Sequence, residues 1–340
     1  MANPQHTART DPPAWAVGLA GLLSLAAAMG VGRFAFTPML PLMLGAGQLD
    51  LAAGGWLAAA NYAGYLAGAL TASRTGWSGA RLASVGLLAT VALTAAMAVP
   101  GPTAWWALLR LAAGLASAWA FVGTTLWCLA TLARGGPSPW SSALYAGVGS
   151  GIVLAGMDCL AGGAAGWPVH VLWLQLALLA LLLAAPPLCV MARAQPAHAA
   201  ATARPQRAGT PPGSWGLVAC YAMLGFGYIL PATFLPVQAH SLVQDARLFG
   251  LAWPVFGITA AVSALVAARA LQRASRLQVW AVSHLVMGVG VLLPSLWLSL
   301  PSIVLSALLV GVRQRLQHAA QGHGRCATGH RWGLGTSLAR

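Results

Sequence analysis

The chain has 340 residues, of which 59% are apolar and only 6% are charged. A water-soluble domain carries about 25% charged residues, so this composition excludes a soluble globular protein and predicts a polytopic membrane protein. All eighteen basic residues behind the formal net charge of +14 are arginines. No basic run alternates with aromatic residues, so this charge does not indicate nucleic-acid binding.

Apolar stretches of about 20 residues, the length of a membrane-spanning helix, occur nine times along the chain. Helices are predicted for all nine because open strands leave backbone groups unpaired in lipid. The predicted spans cover residues 15–44, 51–73, 82–100, 104–133, 140–163, 168–190, 214–240, 248–268 and 277–297. Pro38 and Pro41 predict a kink in the first span, since proline interrupts helical hydrogen bonds. A partial tenth span runs from Pro301 to Gly311.

The sequence repeats itself at an offset of 195 residues. The matched positions include Met29-Gly30-Val31-Gly32 with Leu224-Gly225-Phe226-Gly227, Arg74 with Arg269, and Arg81 with Arg276. Two similar halves in parallel orientation indicate a secondary transporter, whose substrate site lies where the halves meet. The predicted organisation is a six-helix N-terminal half over residues 1–190, a cytoplasmic linker over 191–213 and an incomplete C-terminal half over 214–311.

Loop arginines set the predicted orientation. With the N-terminus inside, ten arginines fall in the inner loops and only one falls in an outer loop. Positive charge gathers on the cytoplasmic side of membrane proteins. The chain is therefore expected to be a multi-pass protein of the bacterial inner membrane with a cytoplasmic N-terminus.

The end of the chain departs from the repeat. Residues 312–340 carry five arginines and three histidines, which do not enter a bilayer, and the counterparts of spans five and six are missing. One interpretation is a frameshifted or truncated reading of a longer transporter, which leaves a non-transporting product. The other is a basic cytoplasmic tail that folds on a partner, in which case the chain is a membrane protein that binds that partner.

Two arginines, Arg33 and Arg110, fall inside predicted spans, and both are expected in the outer third of the membrane. An intramembrane charge usually faces a cavity or a partner. Two guanidinium groups that converge on a central cavity would bind a carboxylate or another small anion. The alternatives are an ion pair of Arg110 with Asp158, a contact of Arg33 with Asp50, or Arg33 extended to the outer interface.

Polar residues in the second span are further candidates. Asn61, Tyr62 and Tyr65 lie within one turn, and either line the cavity or form hydrogen bonds between helices. Tyr228 occupies the repeat position of Arg33 and either faces the cavity or packs in the core. Asp158 is the only carboxylate inside a predicted span and is the candidate for proton coupling.

Other chemistry is not indicated. The five cysteines are scattered singly, without the spacing of a metal site. The sequence contains no phosphate-binding loop, nucleotide fingerprint or catalytic triad. We therefore expect no cofactor, no metal and no enzymatic activity.

Several motifs resemble those of the YbfB/YjiJ family of the major facilitator superfamily (MFS). They are the run from Met29 to Pro38 with Leu40-Pro41, and the run from Asn61 to Gly68. The resemblance covers residues 14–311 and implies an efflux permease that moves a small solute by alternating access. The loop from Ser73 to Leu82 resembles the inner gating loop of the superfamily, and Arg110 with Gly114 resembles its motif for proton coupling. The gating candidates are therefore Arg74, Arg81, Arg269 and Arg276.

Overall fold

Every element described by the computed structural model is a helix. The structure describes residues 12–136, 138–194, 219, 223, 252–270, 276–297, 299, 301–306 and 308–309. The helices are α1 Ala14–Leu25, a π-helical segment Ala26–Val31, α2 Phe36–Gly45, α3 Leu51–Ala72, α4 Gly79–Ala96, α5 Thr103–Arg134, α6 Trp140–Ala143, α7 Ala146–Ala164, α8 Val169–Arg193, α9 Ala252–Ala270 and α10 Arg276–Leu296. Residues 301–306 are helical as well.

The predicted all-α membrane architecture is confirmed. Five described helical stretches are long and apolar enough to cross a membrane, namely Ala14–Gly45, Gly79–Ala96, Thr103–Arg134, Trp140–Ala164 and Val169–Arg193. The described helices coincide with eight of the nine predicted spans to within a few residues. The predicted span over 214–240 apart from Ala219 and Met223, nearly all of the linker and the whole tail over 312–340 lie outside the described residues, so the division into domains stays a prediction.

The first span is broken in the middle. The amide of Gly32 donates to the carbonyl of Ala27 at 2.9 Å and that of Phe34 to Met29 at 3.0 Å, five residues back in each case. This π-helical segment passes into a turn before α2 begins at Phe36. The break therefore lies before Pro38 and not at the prolines, and such segments often mark functional sites.

Glycines allow the helices of the N-terminal half to approach closely. A Cβ atom on Gly114 of α5 would overlap the carbonyl oxygen of Asn61 in α3, and one on Gly64 of α3 would overlap the carbonyl of Leu111. Small residues let helix backbones come together in a membrane. The same crossing carries Tyr62 and Tyr65 of α3 alongside α5.

Helix α7 is held between the first span and α9. A Cβ on Gly151 would meet the backbone of Ala26, and a Cβ on Gly149 would lie 2.7 Å from the carbonyl oxygen of Gly257. Helices α9 and α10 occupy the repeat positions of α3 and α4 to within six residues. The contact of α7 with α9 thus joins the predicted N-terminal half to the described part of the other half.

Candidate functional site

The side chain of Arg110 holds the break in the first span. Its Nη1 donates to the carbonyl oxygen of Gly32 at 3.3 Å and its Nη2 donates to that of Arg33 at 3.0 Å. Its guanidinium carbon also lies 4.7 Å from the centre of the Phe36 ring. Arg110 is only 3% exposed, so its charge is stabilised by carbonyl dipoles and an aromatic face.

The break explains why one of these carbonyl groups needs Arg110. In a continuous helix the carbonyl of Arg33 would accept the amide of Thr37, four residues on. The amide of Thr37 instead donates to Phe34, at 3.1 Å. A buried carbonyl without a partner is unfavourable, and the guanidinium of Arg110 supplies the missing donor.

Asn61 connects a third helix to this cluster. Its side-chain amide donates to the carbonyl oxygen of Arg110 at 2.9 Å, and the residue is 2% exposed. Of the two roles expected for Asn61, the structure displays the hydrogen bond between helices. Asn61 also borders the cavity described below.

Arg33 is surrounded by aromatic rings. Its guanidinium carbon lies 3.9 Å from the centre of the Tyr65 ring, and 5.2 Å from the centres of the Tyr62 and Phe34 rings. Its Nε is buried without a hydrogen-bond partner. Cation–π attraction to several rings holds the guanidinium in place without neutralising its charge.

Arg33 and Arg110 therefore come together as the sequence predicts, but with different surroundings. Both line a cavity of about 10 Å³, which has room for about one water molecule. The other lining residues are Phe34, Phe36, Thr37, Ala58, Asn61 and Tyr62. In this conformation the site is closed, and a solute larger than water does not fit beside the arginines.

Asp50 and Asp158, the two acids that the structure describes, contact neither arginine. No ion pair joins Arg110 to Asp158 within the described part of the chain, because the guanidinium is directed to the carbonyls of the broken helix. Asp50 does not contact Arg33, since its side chain accepts the amide of Ala53 at 2.7 Å and caps α3. Asp158 is half-buried on α7, and its Oδ2 is buried without a hydrogen-bond partner.

Two of the four gating candidates, Arg74 and Arg81, lie in the loop after the C-terminal end of α3 and at the start of α4. Arg74 and Arg81 are exposed, and the guanidinium carbon of Arg81 lies 4.6 Å from the centre of the Trp77 ring. Trp77 packs edge-on against Trp119 of α5 at 5.5 Å. The side chains of Arg269 and Arg276, and all of Tyr228, lie outside the described residues.

A second and larger cavity carries less chemistry. It has a volume of about 320 Å³ and contains no arginine or aspartate. Its lining residues are Gln48, Met97, Ala98, Pro100, Trp106, Val169, His170 and Trp173. None of these residues belongs to α9 or α10. A substrate site is expected where the halves meet, so the cluster around Arg33 is the stronger candidate.

Sequence reasoning missed three aromatic residues of the site. Phe34 and Phe36 belong to the motif of the first span, yet their contacts with Arg33 and Arg110 depend on the break. Trp253 of α9 lies 6.4 Å from Phe34 between ring centres and is 2% exposed. One indication of its role is present in the sequence: Trp253 lies inside a predicted span, three residues before Phe256.

The site offers a positive charge beside aromatic faces. Within the described residues no group of His, Cys, Asp and Glu side chains is arranged to hold a metal ion. Arg33 offers a positive charge and Tyr65 a flat face beside it. A guanidinium group is the side chain best suited to pair with a carboxylate or phosphate.

Comparison with known proteins places the chain among transporters. The family model described as "Uncharacterised MFS-type transporter YbfB" matches residues 25–317. The crystal structure of the nucleoside transporter NupG is similar, with a TM-score of 0.60 and 14% identity over 91% of this chain and 82% of that one. A D-xylose-proton symporter is similar too, with a TM-score of 0.56 and 11% identity over 88% and 79%. A search of curated proteins found no match. The predicted fold class is confirmed.

Proposed function

This chain belongs to the YbfB family of MFS-type transporters, and we propose from that premise that it carries a small organic anion across the membrane. The mechanism is alternating access, in which the two halves rock about a central site. The solute binds beside Arg33, at the break of the first span. Arg110 holds the backbone of that break.

The main evidence that the solute is an anion is the environment of Arg33. Its guanidinium lies against Tyr65 at 3.9 Å, and no carboxylate pairs with it among the described residues. Keeping a charge inside a membrane protein is costly, and it is retained where it has a function. A nucleoside and D-xylose are the solutes that name the two similar transporters, but an anion suits this cation better.

The closed cavity supports rocking as the route of entry. Beside Arg33 the free volume is about 10 Å³, so the solute enters only when the helices around it separate. Phe34 of the first span contacts Trp253 of α9 across the two halves. Separation of the halves would therefore open the site next to Arg33.

Direction and orientation complete the proposal. Efflux follows from the resemblance to efflux permeases, and the loops that contain Arg74 and Arg81 would face the cytoplasm of the inner membrane. Both arginines are exposed at one end of the helices. Positive charge on that side agrees with the rule for bacterial membrane proteins.

Counterflow in proteoliposomes tests the anionic solute. Vesicles loaded with unlabelled solute would be given labelled benzenesulfonate, butanesulfonate or D-xylose, since sulfonates stay ionised and do not cross lipid unaided. We expect counterflow of at least one sulfonate and its loss in Arg33→Gln, because the neutral amide does not attract an anion. Arg33→Lys should keep part of the activity, and Arg193→Gln, at an exposed arginine that is neither in the site nor among the gating candidates, is the control that should keep all of it. Counterflow of D-xylose alone, or of none of the three, would overturn the proposal.

Proton coupling through Asp158 is the second part of the proposal. Within the described membrane-spanning helices Asp158 is the only carboxylate, and its Oδ2 is buried without a partner. A carboxyl group in such a place can take up a proton on one side of the membrane and release it on the other.

The test replaces Asp158 with asparagine, which keeps its shape but does not titrate. We expect Asp158→Asn to abolish sulfonate uptake driven by a pH gradient while leaving counterflow, which needs no gradient, within about twofold of the unsubstituted protein. Uptake that still follows the pH gradient in Asp158→Asn would exclude this residue as the proton carrier.

A further inference from the structure

A column of aromatic rings runs from Arg33 into the second half. The guanidinium carbon of Arg33 lies 5.2 Å from the centre of the Phe34 ring. Phe34 lies 6.4 Å from Trp253 of α9, with the two ring planes tilted by 55°. Trp253 then stacks on Phe256 at 5.0 Å, with the planes only 10° apart. The column thus crosses the boundary between the halves next to the proposed anion site.

Trp253 carries an unused donor in this column. Its side chain is 2% exposed and its indole N–H is buried without a hydrogen-bond partner. A buried Trp N–H usually finds an acceptor, and leaving one unpaired is unfavourable. The conformation with Phe34 against Trp253 is therefore not the most favourable one for this side chain, and a movement of the halves that brings an acceptor to the N–H would stabilise it.

The two halves differ at this position. Trp253 lies 195 residues after Ala58, which is its repeat partner and lines the cavity beside Arg33. A small residue on one side of the site and a large flat one on the other make the site asymmetric. The flat wall comes from the half that lacks Arg33, so the two halves supply different recognition groups.

Phe34 and Trp253 contact each other in this conformation, so a solute ring can enter between them only after they separate. Flat contacts between carbon atoms are optimal at about 3.5–4.0 Å, so a ring between two others needs about 7–8 Å between their centres. The centres are now 6.4 Å apart. An opening on the order of 1 Å, with the tilt removed, admits one ring, and rocking of the halves is large enough to supply it.

We propose that the solute is an aromatic carboxylate. Its carboxylate binds Arg33, and its ring enters between Phe34 and Trp253. This inference rests on the proposed anion transport and narrows its substrate class. It also assigns Trp253 as the residue that selects aromatic over alicyclic anions.

Calorimetric titration of the purified full chain separates the two parts. The probes are benzoate and cyclohexanecarboxylate, which share a carboxylate and a six-membered carbon ring but differ in aromaticity. We expect benzoate to bind about tenfold more tightly, the value of a favourable ring–ring contact. This comparison needs no variant and so does not depend on the folding of one.

Substitutions test whether Trp253 is the residue that favours benzoate over cyclohexanecarboxylate. Trp253→Leu should reduce the ratio of the two affinities to about one, and Trp253→Phe should retain most of it. Trp173→Leu is the matched control, because Trp173 is also 2% exposed with an unpartnered N–H but lines the larger cavity, whereas Trp253 packs on Phe34. Arg33→Gln should weaken both acids equally.

Each possible result of these titrations supports or overturns a stated part of the inference. Equal affinities for benzoate and cyclohexanecarboxylate in the unsubstituted chain overturn the aromatic inference and leave anion transport intact. A preference that survives in Trp253→Leu, or that is lost equally in Trp173→Leu, overturns the role of Trp253. Failure to bind either acid overturns the inference, and if sulfonate counterflow is also absent the proposed function falls with it.

Discussion

At the scale of single residues, the two arginines of the site have different roles. Arg110 donates two hydrogen bonds to backbone carbonyls, at 3.3 and 3.0 Å. Arg33 contacts the faces of aromatic rings, with 3.9 Å to Tyr65. Because one of these carbonyls belongs to Arg33 itself, Arg110 positions the residue that we expect to bind the solute.

Removing the side chain of Arg110 should destabilise the protein. In Arg110→Met the carbonyls of Gly32 and Arg33 lose their donor while they remain buried, which costs about 1–3 kcal/mol. Thermal unfolding in detergent measures this loss. Arg74→Met removes an exposed arginine of the α3–α4 loop and should change stability by no more than about 0.5 kcal/mol. An equal effect of the two substitutions would contradict the positioning role of Arg110.

At the scale of elements, close helix crossings build the site. Helices α3 and α5 approach until a Cβ on Gly114 would lie 2.8 Å from the amide nitrogen of Tyr65. Tyr62 and Tyr65, two of the three rings that contact Arg33, are carried on α3, whereas Arg110 is carried on α5. The distance between these two helices therefore decides whether both arginines keep their surroundings.

Gly114→Ala tests this crossing, because the obstacle to a new methyl group is helix backbone that cannot rotate away. We expect a loss of about 1–3 kcal/mol, as for other overpacked sites, measured by thermal unfolding. Gly288→Ala in α10 is the matched control, since a Cβ there meets nothing within 4 Å. Alanine is favoured over glycine in a helix by up to about 1 kcal/mol, so the control should be neutral or stabilising. A shift of the same sign in both variants would be inconsistent with the crossing described.

At the scale of the whole molecule, the contact of α7 with α9 sets how closely the halves approach. A Cβ on Gly149 would lie 2.7 Å from the carbonyl oxygen of Gly257. The aromatic contact of Phe34 with Trp253 lies across the same boundary. The closed site and the close approach of the halves are thus parts of one conformation.

Gly149→Ala should shift the protein away from this conformation. A transporter that has lost access to one of its states cycles slowly, so we expect sulfonate counterflow to fall about tenfold or more, which corresponds to a shift of about 1.4 kcal/mol between the states. Gly163→Ala is the control on the same helix, because its Cβ would meet only the side chain of Leu42, at 3.2 Å. Normal counterflow in Gly149→Ala would show that the contact is not needed for transport.

The sequence by itself determined the class of protein, the approximate ends of the described helices and the family. These properties follow from the length of apolar runs, the positions of arginines and local motifs. All of these can be recognised in the sequence without knowledge of the tertiary contacts. It also placed Arg33 and Arg110 in one region, because two helices of opposite direction carry them at similar depths.

Only the tertiary structure decided the partners of these arginines. From the sequence, Asp158 and Asp50 were the candidate partners of Arg110 and Arg33. In the structure Arg110 instead contacts backbone carbonyls and Arg33 contacts aromatic rings. The carbonyl of Arg33 is free to accept from Arg110 because the first span breaks before its prolines. Trp253, from a distant part of the chain, enters the site because glycines let α7 and α9 approach. Contacts of this kind depend on the distance and rotation between helices, which neighbouring residues along the chain do not specify.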